Sequence, residues 1–117
     1  MSSVVFNRKR RGMLLNALLV PQLAYILGAT GHSYVAGYGC NPPRNPHHRN
    51  ACLTQEESDN QEVFDTKEFN EYELTGALVG GPDINDGWND DRKDYKSTEV
   101  AIDYNSALFW AAVQLGK

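Results

Sequence analysis

The chain has 117 residues, a hydrophobic content of 41% and a formal net charge of −4 at pH 7. This length allows one ordinary domain with a modest core, and ten glycines with five prolines indicate a domain rich in loops. A basic cluster at residues 8–11 leaves the rest of the chain acidic. Because phosphate binding needs a basic face, this charge balance excludes nucleic acid as the main partner.

The first element in chain order is a helix. Apolar residues recur at i, i+3 and i+4 between residues 13 and 27, which predicts a helix buried on a wide face and ended by Gly28. Pro21 is expected to kink this helix or to mark its first turn. The basic cluster and the following apolar run imitate a signal peptide, but the helical pattern continues past the expected cleavage point. We therefore expect no convincing signal peptide and, because the run is far shorter than about 20 residues, no transmembrane segment.

Residues 29–51 predict a long, turn-rich loop, since prolines and glycines interrupt any helix there. Loops of this length are usually functional or disordered, and the aromatic rings and the His47-His48-Arg49 cluster favour function. Cys40 and Cys52 have no metal-site spacing and could form a disulfide or stay as two thiols. The sequence has no CxxC, HExxH or phosphate-binding glycine loop, so we expect no metal and no cofactor.

Residues 54–73 are strongly acidic and predict a solvated surface loop with few apolar anchors, among them Phe64, Phe69 and Tyr72. A calcium site is the alternative, but the loop lacks a dense pattern of ligands. The segment 74–82 then returns to apolar residues and ends at a Gly-Gly-Pro turn.

The last part of the chain combines acids, aromatic rings and a helix. Residues 88–106 concentrate carboxylates beside aromatic side chains, which can hydrogen-bond sugar hydroxyls and stack on sugar rings. The alternative is a solvated loop before an amphipathic helix. Ser97 or Thr98 is predicted to cap that helix, with Glu99 in its first turn and Gly116 after its end. Its predicted apolar face consists of Val100, Tyr104, Ala107, Leu108, Ala111 and Leu115.

Two motifs make the chain resemble the C-terminal part of glycoside hydrolase family 9 endoglucanases. Residues 33–43 and His47-His48-Arg49 are similar to the family's S-Y-V-x-G-x-G-x-N-P-P…H-x-R loop. Residues 88–106 keep the spacing aromatic-x-D-x4-aromatic-x3-E-x-A-x3-N-small. Between them, residues 74–83 match L-T-G-A-L-V-G-G-P-D. The resemblance covers about residues 22–115, so residues 13–117 are interpreted as a partial catalytic domain and residues 1–12 as an unassigned basic N-terminus.

The resemblance implies an all-α fold, the C-terminal portion of an (α/α)6 barrel with long loops between few helices. It also implies a secreted, inverting enzyme that hydrolyses internal β-1,4-glucosidic bonds in cellulose-type glucans. Such an enzyme uses two carboxyl groups, one that protonates the leaving oxygen and one that activates a water molecule. By the resemblance, Glu99 matches the general acid, and Asp90 and His47 match further catalytic residues. The implied substrate-binding residues are Arg49, Tyr104, Tyr38 and Trp88.

Each of these residues also has a plain structural interpretation. Asp90 could form a surface ion pair with Arg92, which contributes little to stability. Glu99 could be a first-turn acid that the helix dipole favours. Thr98 stands where the family usually has asparagine, beside the proposed acid.

The general base is the missing part of the resemblance. In the family it comes from a D-A-G-D motif that this sequence lacks. We therefore expect a segment of a longer enzyme, because two good helices cannot close a ring of twelve. The alternative is a catalytically inactive remnant that at most binds glucan weakly.

Overall fold

The computed structural model describes residues 2–117, with side chains from residue 9 onwards. Within this range the chain is helical, and its extended segments form isolated β-bridges rather than strands. The helices are α1 (Ser2–Ile26), α2 (Arg49–Cys52), α3 (Gln61–Thr66), α4 (Tyr95–Thr98) and α5 (Ile102–Leu115). Few helices joined by long loops are what the sequence predicted.

Helix α1 is longer than predicted, because it begins at Ser2 rather than near residue 13. The basic residues before Gly12 are good helix formers, which explains why the helix extends through them. Pro21 lies inside the helix, so the interpretation that it marks the first turn is wrong. The predicted end is confirmed. Helix α1 stops at Ile26, and Gly28 follows with φ 104°, a conformation that glycine adopts without strain.

The loop after α1 folds back onto the end of that helix. The amide of Tyr34 donates to the carbonyl of Ile26 at 2.8 Å, and the amide of Cys40 donates to the carbonyl of Leu27 at 3.0 Å. These bonds satisfy helix-terminal carbonyls that have no partner within the helix. A side chain at Gly28 would meet the Cβ of Cys40 at 2.8 Å, so the close approach also requires glycine there. The loop is therefore ordered against α1.

The apolar segment 74–82 joins the two motif regions by backbone pairing. Val35 pairs with Leu78 in an antiparallel bridge, and Val79 pairs with Val100 in another. The amide of Val79 also donates to the carbonyl of Tyr34 at 3.0 Å. This segment therefore lies between the first motif loop and the chain that leads into α5, and it fixes their relative position.

The acidic region 54–73 is only partly a solvated loop. It contains α3, which the sequence did not predict, and Phe64 on this helix is 6% exposed. Phe64 packs against Cys52 and Leu53 in a small buried cluster. Burial of an aromatic ring contributes enough stabilisation to fold a polar segment around it. The other two predicted anchors, Phe69 and Tyr72, are exposed.

The predicted start of the last helix is wrong. Ser97 and Thr98 belong to the short helix α4, and α5 begins only at Ile102, after Ala101 as its N-cap residue. The intervening Glu99 and Val100 are held extended, because they form bridges to residues of the other two segments. The helix-dipole interpretation of Glu99 therefore does not hold. The predicted end is confirmed, since α5 stops at Leu115 with Gly116 as its C-cap.

Helices α1 and α5 contact each other, but each keeps a large apolar surface. The chain extends over 65 × 30 × 19 Å. Its radius of gyration of 17.8 Å exceeds the radius of gyration of roughly 13 Å that is typical of a compact chain of this length.

The predicted face of α5 is only partly right, since Tyr104 and Ala107 on it are exposed. No helix in the described range is long and apolar enough to cross a bilayer. Among the described side chains, the large apolar ones that are exposed on these two helices are Met13, Leu14, Leu18, Val20, Ile102, Tyr104, Phe109, Trp110 and Val113.

Candidate active site

His47 and Glu99, which are 52 positions apart in the sequence, lie side by side in the structure. They form a parallel bridge in which the amide of His47 donates to the carbonyl of Thr98 at 2.9 Å. Glu99 directly follows α4, and its own amide caps that helix by donating to Tyr95. The Glu99 carboxylate is exposed, and His47 is half-buried. The backbone therefore brings the sequence-predicted acid and histidine to the same place.

The orientation of the His47 ring is fixed by a hydrogen bond and by aromatic packing. Nδ1 lies 2.7 Å from the carbonyl oxygen of Arg92. Because a carbonyl only accepts, Nδ1 carries the proton, and in the neutral ring Nε2 is left as an acceptor. The ring packs edge-on against Phe64 with centroids 5.3 Å apart and lies 6.2 Å from the ring of Tyr95. The imidazole is thus held in one orientation and one tautomer.

Asp90 binds the backbone just before His47. Its Oδ2 accepts from the amide of Arg44 at 2.8 Å, and its Oδ1 accepts from the amide of Asn45 at 3.0 Å. The side chain of Asn45 returns a bond to the carbonyl of Asp90 at 3.3 Å. Both carboxylate oxygens bind backbone amides of the first motif loop, so Asp90 connects the second motif to the first.

Arg92 is a site residue whose position the sequence interpretation missed. The surface ion pair with Asp90 is wrong, because Arg92 is 5% exposed and its guanidinium donates to Asn70 and to the carbonyls of Phe64 and Lys67 at 2.8–2.9 Å. A buried arginine is hard to detect in a sequence, since this residue type is mostly exposed. The available signal was its place inside the motif, two positions after Asp90.

Trp88 lines an open groove beside Asp90. Its indole nitrogen donates to the carbonyl of Ser97 at 3.2 Å, and its ring packs edge-on against the buried Tyr34 at 5.7 Å. The groove has a volume of about 610 Å³. Its lining combines one aromatic ring with several polar groups and consists of His32, Asn41, Pro42, Arg44, Trp88, Asn89 and Asp90.

The other three predicted substrate-binding residues are dispersed. Arg49 donates to Gln61 at 2.5 Å and lies 5.1 Å above the Phe64 ring, so it is attached to α3. Tyr38 is 56% exposed in the first motif loop, and Tyr104 is 37% exposed in the first turn of α5. These tyrosines have surface available for a ligand, whereas part of Arg49 already has protein partners.

Thr98 holds the chain in place directly before Glu99. Its side chain is fully buried, and its hydroxyl lies 3.2 Å and 2.9 Å from the carbonyls of Asp91 and Asp94. These contacts hold α4 against the preceding turn. Thr98 therefore fixes the backbone from which Glu99 projects.

Two groups at the edges of this site have raised pKa values. Hydrogen bonding to Asp86 raises the pKa of Tyr25. Burial raises the pKa of the Cys52 thiol, which keeps it protonated.

The two cysteines do not form a disulfide in this structure. Cys40 is exposed, Cys52 is buried, and both are free thiols, so of the two possibilities open from the sequence the structure has the pair of thiols. Among the described side chains, no group of three or more His, Cys, Asp or Glu residues could hold a metal ion.

Comparison with known proteins identifies the family. The sequence profile of Glycosyl hydrolase family 9 matches residues 3–112. The chain belongs to glycosyl hydrolase family 9. Among family 9 proteins, it is 45% identical over 96 residues to the Endoglucanase of Dictyostelium discoideum, an alignment of 80% of this chain and 13% of that protein. It is 42% identical over 99 residues to Endoglucanase B of Cellulomonas fimi, covering 82% and 9% of the two chains.

Solved family 9 structures share this fold. The endoglucanase from the termite Nasutitermes takasagoensis aligns with a TM-score of 0.69 and 42% identity over 83% of this chain and 23% of its own. The cellulase Cel9M of C. cellulolyticum in complex with cellobiose aligns with a TM-score of 0.66 and 43% identity over 80% and 21%. The chain thus spans less than a quarter of these relatives. The predicted resemblance to family 9 endoglucanases and the predicted portion of an (α/α)6 barrel are confirmed.

Proposed function

We propose that this chain supplies the proton-donor side of an endo-β-1,4-glucanase active site. The observation that carries the proposal is the bridge between His47 and Glu99, which sets a histidine beside an exposed carboxylate at the junction of two motif segments. The named relatives are endoglucanases, and one neighbour, CelQ of Clostridium thermocellum, is a complex with cellotriose. The proposed substrate is therefore a cellulose-type glucan, cleaved at internal bonds.

Glu99 is the proposed general acid. In an inverting reaction it transfers its proton to the glycosidic oxygen as the bond from that oxygen to the anomeric carbon breaks. A base on the opposite face removes a proton from the water molecule that attacks the anomeric carbon. The two carboxyl groups in such a site are about 6.5–9.5 Å apart to leave room for that water. The exposure of Glu99 leaves its proton accessible to a bound sugar.

The base is proposed to come from a segment that carries the family's D-A-G-D motif. Asp90 is instead proposed to position the loop, because its carboxylate accepts the backbone amides of Arg44 and Asn45. Its part in the catalytic set is to hold the loop that presents His47. The exposed apolar faces of α1 and α5 support the proposal that a further segment is needed. A helix that is apolar on several sides is usually buried on those sides by other parts of the protein. The barrel helices that the relatives have outside the aligned part would cover them.

The remaining residues are proposed to contact sugar. In the tautomer that donates from Nδ1 to Arg92, Nε2 of His47 can accept a hydrogen bond from a hydroxyl group. Arg49, two positions later, has guanidinium donors for further hydroxyls. Tyr38, Tyr104 and the Trp88 groove offer aromatic surface on which sugar rings stack. Because cellulose is found outside cells, the proposal includes secretion of the protein.

A chimaera tests the proposal. The part of the termite endoglucanase that aligns with this chain is replaced by this chain, and hydrolysis of carboxymethylcellulose is measured. The chimaera is expected to be active, and Glu99→Gln is expected to lower its rate about 10²–10⁴-fold, the usual contribution of a general acid. Glu56→Gln, at another exposed glutamate, is the matched control and should leave the rate unchanged.

Two outcomes would contradict the proposal. An active chimaera that tolerates Glu99→Gln would remove Glu99 from the acid role. A folded but inactive chimaera that still binds cellotriose would favour the inactive remnant instead. The chain alone, without the base segment, is expected to show no turnover in the same assay.

A further inference from the structure

A buried cation without a carboxylate partner lies behind the candidate active site. Arg92 is 5% exposed, and its acceptors are all neutral oxygens. Its Nε donates to the side-chain oxygen of Asn70 at 2.9 Å, and its Nη1 donates to the carbonyls of Phe64 and Lys67 at 2.8 and 2.9 Å. A charge buried in this way is costly unless its donors are satisfied. The chain therefore commits three oxygens of one short segment, residues 64–70, to holding one guanidinium.

The backbone of the same residue also holds His47. The carbonyl of Arg92 accepts the Nδ1 proton of His47 at 2.7 Å. Its guanidinium also lies 5.5 Å above the Phe64 ring, on which the imidazole packs. Because the side chain of Arg92 is anchored at several points, its own carbonyl has little freedom to turn away from His47.

The guanidinium also connects to the loop that Asp90 holds. Asn45 places its side-chain oxygen 3.5 Å from Nη2 of Arg92 and donates its side-chain amide to the carbonyl of Asp90. The same oxygen of Asn45 accepts the amide of Asn70 at 3.2 Å. One hydrogen-bond network therefore links Arg92, in the second motif, to Asn45 in the loop of the first motif.

We propose that Arg92 is a positioning residue that fixes the tautomer and orientation of His47 for sugar recognition. The part that concerns sugar rests on the function proposed above, whereas the control of the His47 tautomer does not. Arginine suits this position because its planar group has five N–H donors in a fixed geometry. A lysine keeps the charge but has a single nitrogen that cannot reach the four acceptors, which are spread over residues 64–70 and Asn45, at once.

The test is the tautomer of His47 in this chain, read from the ¹⁵N chemical shifts of its ring nitrogens at about pH 9, where histidine side chains are ordinarily neutral. Wild type is expected to hold the proton on Nδ1. In Arg92→Lys the ratio of the Nδ1–H to the Nε2–H form should fall about tenfold, the equivalent of one net hydrogen bond. Arg11→Lys, at an exposed arginine of α1, should leave the ratio unchanged.

A second variant keeps the test decisive if Arg92→Lys does not fold. Asn70→Ala removes one acceptor of Arg92 together with the donor to the carbonyl of Pro46, and it should shift the same ratio in the same direction by a smaller factor. A folded Arg92→Lys or Asn70→Ala chain with the wild-type ratio would overturn the proposal. Because the ¹⁵N shifts require no activity, a failure of the proposed glucanase function would leave this result readable.

Discussion

The carboxylate of Asp90 offers the sharpest structural prediction. Asp90→Asn keeps the shape of the side chain but replaces one oxygen with an NH2 group, which cannot accept from an amide. Asp90 accepts three bonds, since the amide of Asn45 also lies 3.2 Å from Oδ2. The variant loses at least one of them, and the bonds that remain are no longer charge-assisted. Hydrogen bonds to charged groups contribute about 1.5–3 kcal/mol each. Since Asp90 is only half-buried and water replaces part of the loss, we expect the loop to lose about 2–3 kcal/mol.

Amide hydrogen exchange measures this loss where it occurs. A decrease of about 2–3 kcal/mol in the free energy of local opening corresponds to an exchange rate about 30–150 times faster. The amides of Arg44 and Asn45 should show this increase in Asp90→Asn. Asp91→Asn is the matched control, because its Oδ1 accepts only the exposed amide of Lys93. Unchanged protection at both amides in Asp90→Asn would refute the positioning role of Asp90.

Two further predictions concern stability, each measured by urea unfolding followed by circular dichroism. Lys67, assisted by the amide of Thr54, lowers the pKa of Glu57 below its ordinary 4.5. The resulting stabilisation is present above pH 4.5 and is lost as the pH falls through the pKa of Glu57 in the folded chain. Glu57→Gln should therefore remove this small decrease in the free energy of unfolding at low pH. A decrease that persists in the variant would contradict the assignment. Thr98→Val should cost about 1–2 kcal/mol, because two carbonyls lose the buried hydroxyl. The exposed Thr66→Val should change stability by less than about 0.5 kcal/mol, and equal losses in the two variants would count against the structural role of Thr98.

Much of the fold was readable from local sequence signals. The end of α1 was predicted because Gly28 is a strong stop signal, and the end of α5 at Gly116 was predicted in the same way. The start of α5 was not, since Ser97 and Thr98 are good capping residues whose local preference lost to long-range pairing. Glu99 and Val100 form bridges with residues far away in the chain. No window of local sequence contains that information.

The candidate site shows the same division. The spacing of the motifs singled out Glu99 and His47, and the structure brings them together. Their supporting contacts were not predictable, because they depend on which carbonyls face the interior. The buried position of Arg92 and the two backbone amides held by Asp90 belong to this class. Helix α3 was missed because a single buried ring, Phe64, organises an otherwise acidic segment.

The proton-donor role of Glu99 is tested most directly by changing the leaving group of the substrate. In the chimaera, Glu99→Gln is compared with the unchanged chain on cellotetraose and on dinitrophenyl cellobioside, whose phenolate leaves without protonation. A general acid predicts a rate loss of about 10²–10⁴ on cellotetraose and a far smaller loss on the dinitrophenyl substrate. Equal losses on the two substrates would contradict the assignment, because the carboxylate would then be acting on something other than the leaving oxygen.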